Sequence, residues 1–119
     1  MRVAVVDVGS NTARLLVADV LPDGSLDRVD ERREHLGLGA EIAASGSLSA
    51  ETLRATAEVC RGYAKRAKRL GADRAETIVT APGRQGDAPQ ALTGALATAT
   101  GLPVRILGAD DEGRLAYDG

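Results

Sequence analysis

Blocks of apolar and polar residues alternate along the first third of the chain. Runs rich in β-branched residues at 3–7 and 14–20 flank a polar insert, and a charged run follows at 25–33. Gly-Ser-Asn separates the first two runs, and Pro22-Asp23-Gly24 separates the second from the third. Both inserts are typical of turns, because proline restricts φ and glycine accepts a positive φ. The pattern predicts a three-stranded antiparallel meander whose polar third strand lies at a sheet edge.

A helical period replaces this alternation after residue 48. Ser49 is a typical N-cap, Leu48 and Leu53 are spaced to form a hydrophobic staple, and Gly71 is a stop signal. The glycine-rich residues 35–49 before this helix are predicted to form a connection. The stripe expected to face the core consists of Leu53, Ala57, Cys60, Ala64 and Ala67.

Strands and helices alternate in the remainder of the chain. The pattern predicts a strand at 75–80, a helix at 90–100, a strand at 104–107 and a third helix from Asp110 onward. The predicted order is β-β-β-α-β-α-β-α, an α/β fold with a mixed five-stranded sheet. The length of 119 residues indicates a single domain, 1–119.

Composition excludes several classes of function. An aromatic share of 2% and a net charge of −2 argue against nucleic acid and against an anionic membrane as partners. A single cysteine permits no internal disulfide, and no apolar run approaches the roughly 20 residues of a membrane span. A cytoplasmic protein is expected.

The polar insert between the first two strands could carry chemistry. Gly9 lets a ligand approach the backbone, while Ser10, Asn11 and Thr12 add short hydrogen-bonding side chains. Asp7, at the end of a strand, is placed to hold Mg²⁺ through water. Two interpretations stay open at this point, an ordinary hairpin turn and a loop that holds a phosphate.

Charged residues elsewhere admit two interpretations as well. Glu112, in the cluster Asp110-Asp111-Glu112, could activate a water, but acidic residues also stabilise the first turn of a helix. The guanidinium groups of Arg14 and Arg84 suit phosphate recognition or ordinary ion pairs. The basic run from Lys65 to Arg69 fits the end of a helix, and Cys60 fits the core better than a nucleophilic role.

Several motifs resemble the exopolyphosphatase/guanosine pentaphosphate phosphohydrolase (Ppx/GppA) family of the actin-like ATPase superfamily. "DVGSNTARLLV" is similar to the first phosphate motif of that family, and "REHLGLGAEIAASGSLSAETL" to its Leu-Gly connection and long helix. "TIVTAPGR" and "GLPVRILGADDEGRLAY" are similar to the family's later strand-and-arginine and strand-and-acidic segments. The matches follow the family's order along nearly the whole chain.

The resemblance implies the N-terminal lobe of a two-lobed phosphatase, with an actin-like (ribonuclease H-like) fold. It implies that the lobe releases terminal phosphate from inorganic polyphosphate or guanosine pentaphosphate. Gly9, Ser10, Asn11, Thr12 and Arg14 would bind this substrate. The resemblance also implies that Asp7 holds a Mg²⁺ ion whose other ligands come partly from the second lobe. It implies that Glu112 is the catalytic carboxylate and Arg84 the catalytic arginine.

The sequence departs from the family at two places. Pro82 and Gly83 replace the residues expected before Arg84, and no second phosphate motif of the Asp-Ile-Gly-Gly-Gly-Ser type occurs in these 119 residues. The second lobe is therefore expected to be absent from this chain, which would make the chain inactive alone and could drive homodimer formation through exposed apolar surface. There are two alternatives. The chain could be a non-catalytic module that binds phosphate or an alarmone, or it could be a lobe of a related small-molecule kinase.

Overall fold

The computed structural model describes residues 1–9, 11–46, 48–80 and 88–106, and these form five strands and three helices. In chain order the elements are β1 (Arg2–Val8), β2 (Thr12–Val20), β3 (Leu26–His35), α1 (Leu38–Ser45), α2 (Ala50–Arg69), β4 (Arg74–Val79), α3 (Ala88–Thr100) and β5 (Val104–Ile106).

The strands form one mixed sheet in the order β3-β2-β1-β4-β5. β1 pairs antiparallel with β2, and β2 with β3, whereas β4 runs parallel to both β1 and β5. The predicted meander and the predicted parallel half are both confirmed. Parallel neighbours need a long crossover: β2, β3, α1 and α2 lie between β1 and β4 in the chain, and α3 lies between β4 and β5.

The meander buries one face and leaves charged residues along its outer strand. Ala13, Leu15 and Val17 on β2 are fully buried, and they alternate with half-buried positions on the other face. β3, at the sheet edge, is half-buried at best and rich in charge, which discourages pairing with another chain. In the β2–β3 turn, Gly24 adopts the predicted positive φ of +86°.

Helix α2 begins and ends as predicted, but its buried stripe differs. The Ser49 side chain accepts a hydrogen bond from the Thr52 amide at 3.1 Å. Cys60 and Ala67 are buried as expected, whereas three predicted core residues are only half-buried, namely Leu53, Ala57 and Ala64. Thr56 and Tyr63 take core positions instead.

Hydrogen bonds from the hydroxyl groups of Thr56 and Tyr63 allow these two polar side chains to be buried. Thr56 Oγ1 donates to the Thr52 carbonyl at 2.8 Å, and the Tyr63 hydroxyl donates to the Ala13 carbonyl at 3.3 Å. A buried polar group with a partner avoids most of the desolvation cost.

The connection predicted at residues 35–49 is wrong in part, because α1 occupies its centre. The glycines that suggested an irregular segment mark the helix ends, since Gly37 and Gly46 have φ values of +69° and +79°. Leu38 is fully buried, and the Glu41 carboxylate accepts hydrogen bonds from the Ser49 amide and the Thr52 hydroxyl. The described order is therefore β-β-β-α-α-β-α-β, and the helix predicted from Asp110 lies outside the described residues.

Helices α2 and α3 pack against one face of the sheet. Val6 and Leu15 belong to the same buried cluster as Cys60, Leu92 and Leu96. Burial raises the pKa of the Cys60 thiol to about 12, so it remains protonated and unreactive at neutral pH. None of the helices within the described ranges is long and apolar enough to cross a membrane.

Candidate functional site

A polar cavity of about 340 Å³ lies where the β1–β2 turn meets the end of β4. Every lining residue in the described part of the chain is charged, polar or glycine. These residues are Asp7, Gly9, Asn11, Thr12, Arg14, Arg33 and Thr80. Such a lining suits a charged, hydrogen-bonding ligand better than an apolar one.

The sheet register explains why these residues converge. Asp7 on β1 is opposite Arg14 on β2, and Arg14 is opposite Arg33 on β3. β4 runs parallel to β1, so its carboxyl end reaches the same edge, where the Thr80 amide donates to the Val8 carbonyl at 3.0 Å. Four strands thus contribute to one cavity.

Backbone hydrogen bonds hold the turn in place. The Gly9 amide donates to the Thr12 carbonyl at 2.9 Å, and the Asn11 carbonyl accepts from the Leu36 and Gly37 amides at 2.7 and 3.3 Å. The Gly9 amide is therefore engaged within the turn, and Gly9 contributes space instead. A Cβ at this position would lie 3.4 Å from Thr80 Oγ1.

The charged residues among the described lining are two arginines and one aspartate. Arg14 Nη2 lies 3.8 Å from Asp7 Oδ2, and both side chains are about one third exposed, at 37% and 34%. Arg33 is more exposed, at 62%, and its Nε lies 3.3 Å from Glu31 Oε1. A separation of 3.8 Å is an ion pair without a short hydrogen bond, so Arg14 keeps donors for an anion.

Five of the residues predicted from the sequence to form the site lie together in this lining: Asp7, Gly9, Asn11, Thr12 and Arg14. The remaining three, Ser10, Arg84 and Glu112, lie outside the described residues. Arg33 and Thr80 were not predicted. The signals were available, since a meander places Arg33 near Arg14, and Thr80 follows a strand parallel to the first.

The lining is compatible with a hard cation. Asp7 offers a carboxylate, and Thr12 and Thr80 offer hydroxyl oxygens. Within the described ranges there is no cluster of three residues among His, Cys, Asp and Glu that could hold a metal ion by protein ligands alone. One carboxylate is nevertheless enough for Mg²⁺ that takes its other ligands from water and substrate phosphates.

The basic run at the end of α2 has a structural explanation. Arg66 donates from Nε to the Asp30 carboxylate, and this pair joins α2 to β3. Hydrogen bonding from Arg66 lowers the pKa of Asp30, so the aspartate stays ionised at neutral pH. Arg66 therefore contributes to the fold through a contact with β3, whereas the sequence suggested only a solvated cation at the end of a helix.

No protein-family model matches the chain, but solved structures resemble it closely. A Ppx/GppA family member from Aquifex aeolicus is 30% identical with a TM-score of 0.86, and the match covers 98% of this chain and 38% of that protein. An exopolyphosphatase from Cytophaga hutchinsonii is 20% identical with a TM-score of 0.86, over 97% of this chain and 36% of that one. The chain thus spans less than half the length of either relative.

A more distant structure supports the fold class. The ethanolamine utilization protein EutJ from Carboxydothermus hydrogenoformans is 17% identical with a TM-score of 0.55, over 89% of this chain and 36% of that one. The fold is the mixed five-stranded, actin-like (ribonuclease H-like) arrangement predicted from the sequence. In fold over nearly its whole length, and in sequence at 30% identity, the chain matches the Ppx/GppA family, and the resemblance seen in its motifs is confirmed.

Proposed function

We propose that this chain is the phosphate-binding lobe of a phosphoanhydride hydrolase that acts on inorganic polyphosphate or guanosine pentaphosphate. The observation that carries the proposal is the cavity at the β1–β2 turn, where two guanidinium groups and several hydroxyl and amide groups meet and no described lining residue is apolar. Fixed donors that surround an anion stabilise the charge that develops in phosphoryl transfer.

The described residues divide into two roles under this proposal. Asn11, Thr12 and Arg14 hold the terminal phosphate group, with Arg14 offering the fork that matches phosphate oxygens. Asp7 would hold Mg²⁺ together with the substrate phosphates, and the cation would neutralise phosphate charge. The pairing of Asp7 with Arg14 keeps the carboxylate beside the anion position.

The family resemblance assigns the remaining roles. Glu112 would orient and deprotonate the attacking water, Arg84 would stabilise the charge of the transferred group, and Ser10 would add a donor at the turn. The relatives are more than twice as long as this chain, so turnover is proposed for a two-lobed protein in which this chain is one lobe.

Binding and turnover are tested separately. Calorimetry of this chain with tripolyphosphate and Mg²⁺ should give saturable binding, and an absence of binding would contradict the phosphate site. Phosphate release from polyphosphate is then measured with a two-lobed protein that contains this chain.

In that protein, Glu112→Gln should reduce the rate by a factor of about 10²–10⁴, the usual contribution of a general base, with little change in binding. Asp111→Asn removes a neighbouring carboxylate and is the matched control, with a rate close to that of the unaltered protein. Equal rates for Glu112→Gln and the control would exclude Glu112 as the base. Binding without any release by the unaltered protein would favour the alternative of a non-catalytic binding module.

A further inference from the structure

Arg33 lines the same cavity as Asp7 and Arg14, but the family resemblance assigns it no role. Asp7, Arg14 and Arg33 occupy directly opposed positions on three neighbouring strands, so they form one row across the sheet. Neighbouring strands are about 4.8 Å apart. Arg33 therefore stands one strand farther from Asp7 than Arg14 does, in the same cavity.

The row leads from the turn toward solvent. Exposure rises from 34% at Asp7 and 37% at Arg14 to 62% at Arg33, and β3 is an edge strand. A ligand group seated at Arg14 thus has room to continue past Arg33 to the outside.

The fold engages only part of the Arg33 guanidinium group. Two arginines opposite one another on paired strands repel, which destabilises the sheet by a modest amount. A carboxylate offsets part of this repulsion at each arginine, since Asp7 lies 3.8 Å from Arg14 and Glu31 lies 3.3 Å from Arg33. The contact of Arg33 with Glu31 engages Nε, and its two terminal nitrogens carry four further N–H donors.

We propose that Arg33 determines specificity by binding the second phosphate group of a substrate whose terminal phosphate lies at Arg14. This inference rests on the proposed function, because it takes the turn as the terminal-phosphate position. A single phosphate group engages Arg14 alone, whereas a phosphoanhydride chain reaches both guanidinium groups. Arg33 thereby selects chains of phosphates over orthophosphate.

The test compares the affinities of this chain for tripolyphosphate and for orthophosphate by calorimetry. Arg33→Ala should weaken tripolyphosphate binding about tenfold and change orthophosphate binding by less than about twofold, as expected for loss of one charge-assisted contact. Arg33→Lys keeps the charge but loses the planar guanidinium group, so its affinity for tripolyphosphate should lie between those of the unaltered chain and of Arg33→Ala.

Arg32→Ala is the matched control. Arg32 is the adjacent residue on β3, is 52% exposed, pairs with Asp30 and sits opposite Leu15 on the helix-covered face. Its removal changes the net charge equally, so it should alter neither affinity by more than about twofold. Thermal unfolding of each variant establishes that it is folded.

The outcomes separate the two proposals. If the unaltered chain binds neither anion, the phosphate site itself is wrong, and the inference about Arg33 falls with it. Suppose instead that the chain binds both anions. If Arg33→Ala then lowers both affinities equally, lowers neither, or has the same effect as Arg32→Ala, Arg33 has no part in specificity. The phosphate site itself is supported in each of these cases. A selective loss for tripolyphosphate with Arg33→Ala alone supports the inference.

Discussion

Two arginine–aspartate pairs join β1 to β2, one at each end of the strand ladder. At one end, Arg2 donates to both carboxylate oxygens of Asp19, at 2.8 and 3.1 Å, and to the Leu70 carbonyl at 2.6 Å. At the other end, a single contact of 3.8 Å links Arg14 to Asp7. The residue types and the strands are the same, but the degree of hydrogen bonding is not.

The difference separates a structural pair from a site. Arg2 ties the end of α2 to the start of the sheet, and the Arg2 amide also donates to Asp73 at 2.8 Å. Its donors are used by the protein. Arg14 has only a 3.8 Å contact with Asp7 in a polar cavity, where under the proposed function an anion would complete its hydrogen bonding. Incomplete pairing of a guanidinium group beside a cavity is thus the more informative signal for function.

The largest expected effect follows from removal of the loosely held arginine. Arg14→Ala should raise the Kd for tripolyphosphate about tenfold to a hundredfold, because a charge-assisted hydrogen bond contributes about 1.5–3 kcal/mol. Its effect on the free energy of unfolding should stay within about 1 kcal/mol, because the partly exposed pair with Asp7 is a long contact of 3.8 Å. Calorimetry and chemical denaturation measure the two quantities, and a stability loss without a binding loss would reverse the assignment.

Removal of Arg2 should lower stability without affecting phosphate binding. Arg2→Ala leaves Asp19 and the Leu70 carbonyl without their donor, so the midpoint of thermal unfolding should fall, while tripolyphosphate affinity should not change. Arg2→Lys should recover part of the lost stability. Weaker phosphate binding by a folded Arg2→Ala variant would show that the two ends of the ladder are coupled.

A smaller effect is expected at a polar group that has no partner. Within the described part of the chain, Thr77 Oγ1 is the buried side-chain polar atom without a hydrogen bond. Thr77→Val should raise the free energy of unfolding by about 1 kcal/mol, because it removes the cost of an unsatisfied hydroxyl.

The matched control is Thr56→Val. The Thr56 hydroxyl is equally buried but donates to the Thr52 carbonyl, so its loss should not stabilise the protein. Chemical denaturation measures both variants. A similar rise in the free energy of unfolding of both variants would mean that the hydrogen bond from Thr56 to the Thr52 carbonyl does not stabilise the protein.

The smallest expected effect is on the pH dependence of stability. Hydrogen bonding from Arg2 lowers the pKa of Asp19 below its usual value. The unfolded state then binds the proton more readily, so the stabilisation is present above a pH of about 4 and is lost as the pH falls through the folded pKa. Asp19→Asn should reduce the dependence of the free energy of unfolding on pH in this acidic range. An unchanged slope in the variant would show that Asp19 does not contribute to it.

Local signals in the sequence were enough for most elements of the fold. The N-cap at Ser49, the turn at Gly24 and the helix stop at Gly71 depend on residues close together in the chain, and all three are found in the structure. The helix α1 was missed because glycines at its two ends were interpreted as signs of an irregular connection. Contacts with other parts of the chain, such as the hydrogen bond from the Thr52 hydroxyl to Glu41, help to stabilise it.

The sequence by itself determined the strands of the meander, the parallel half of the sheet, the family resemblance and the polar turn with Asp7 and Arg14. These features follow from periodicity, turn chemistry and motif order, which act over short stretches of chain. Only the tertiary structure decided that Arg33 and Thr80 share a cavity with that turn, and that Arg2 is saturated while Arg14 is not. Those outcomes depend on strand register and on the approach of β4 to β1, which bring together residues far apart in sequence.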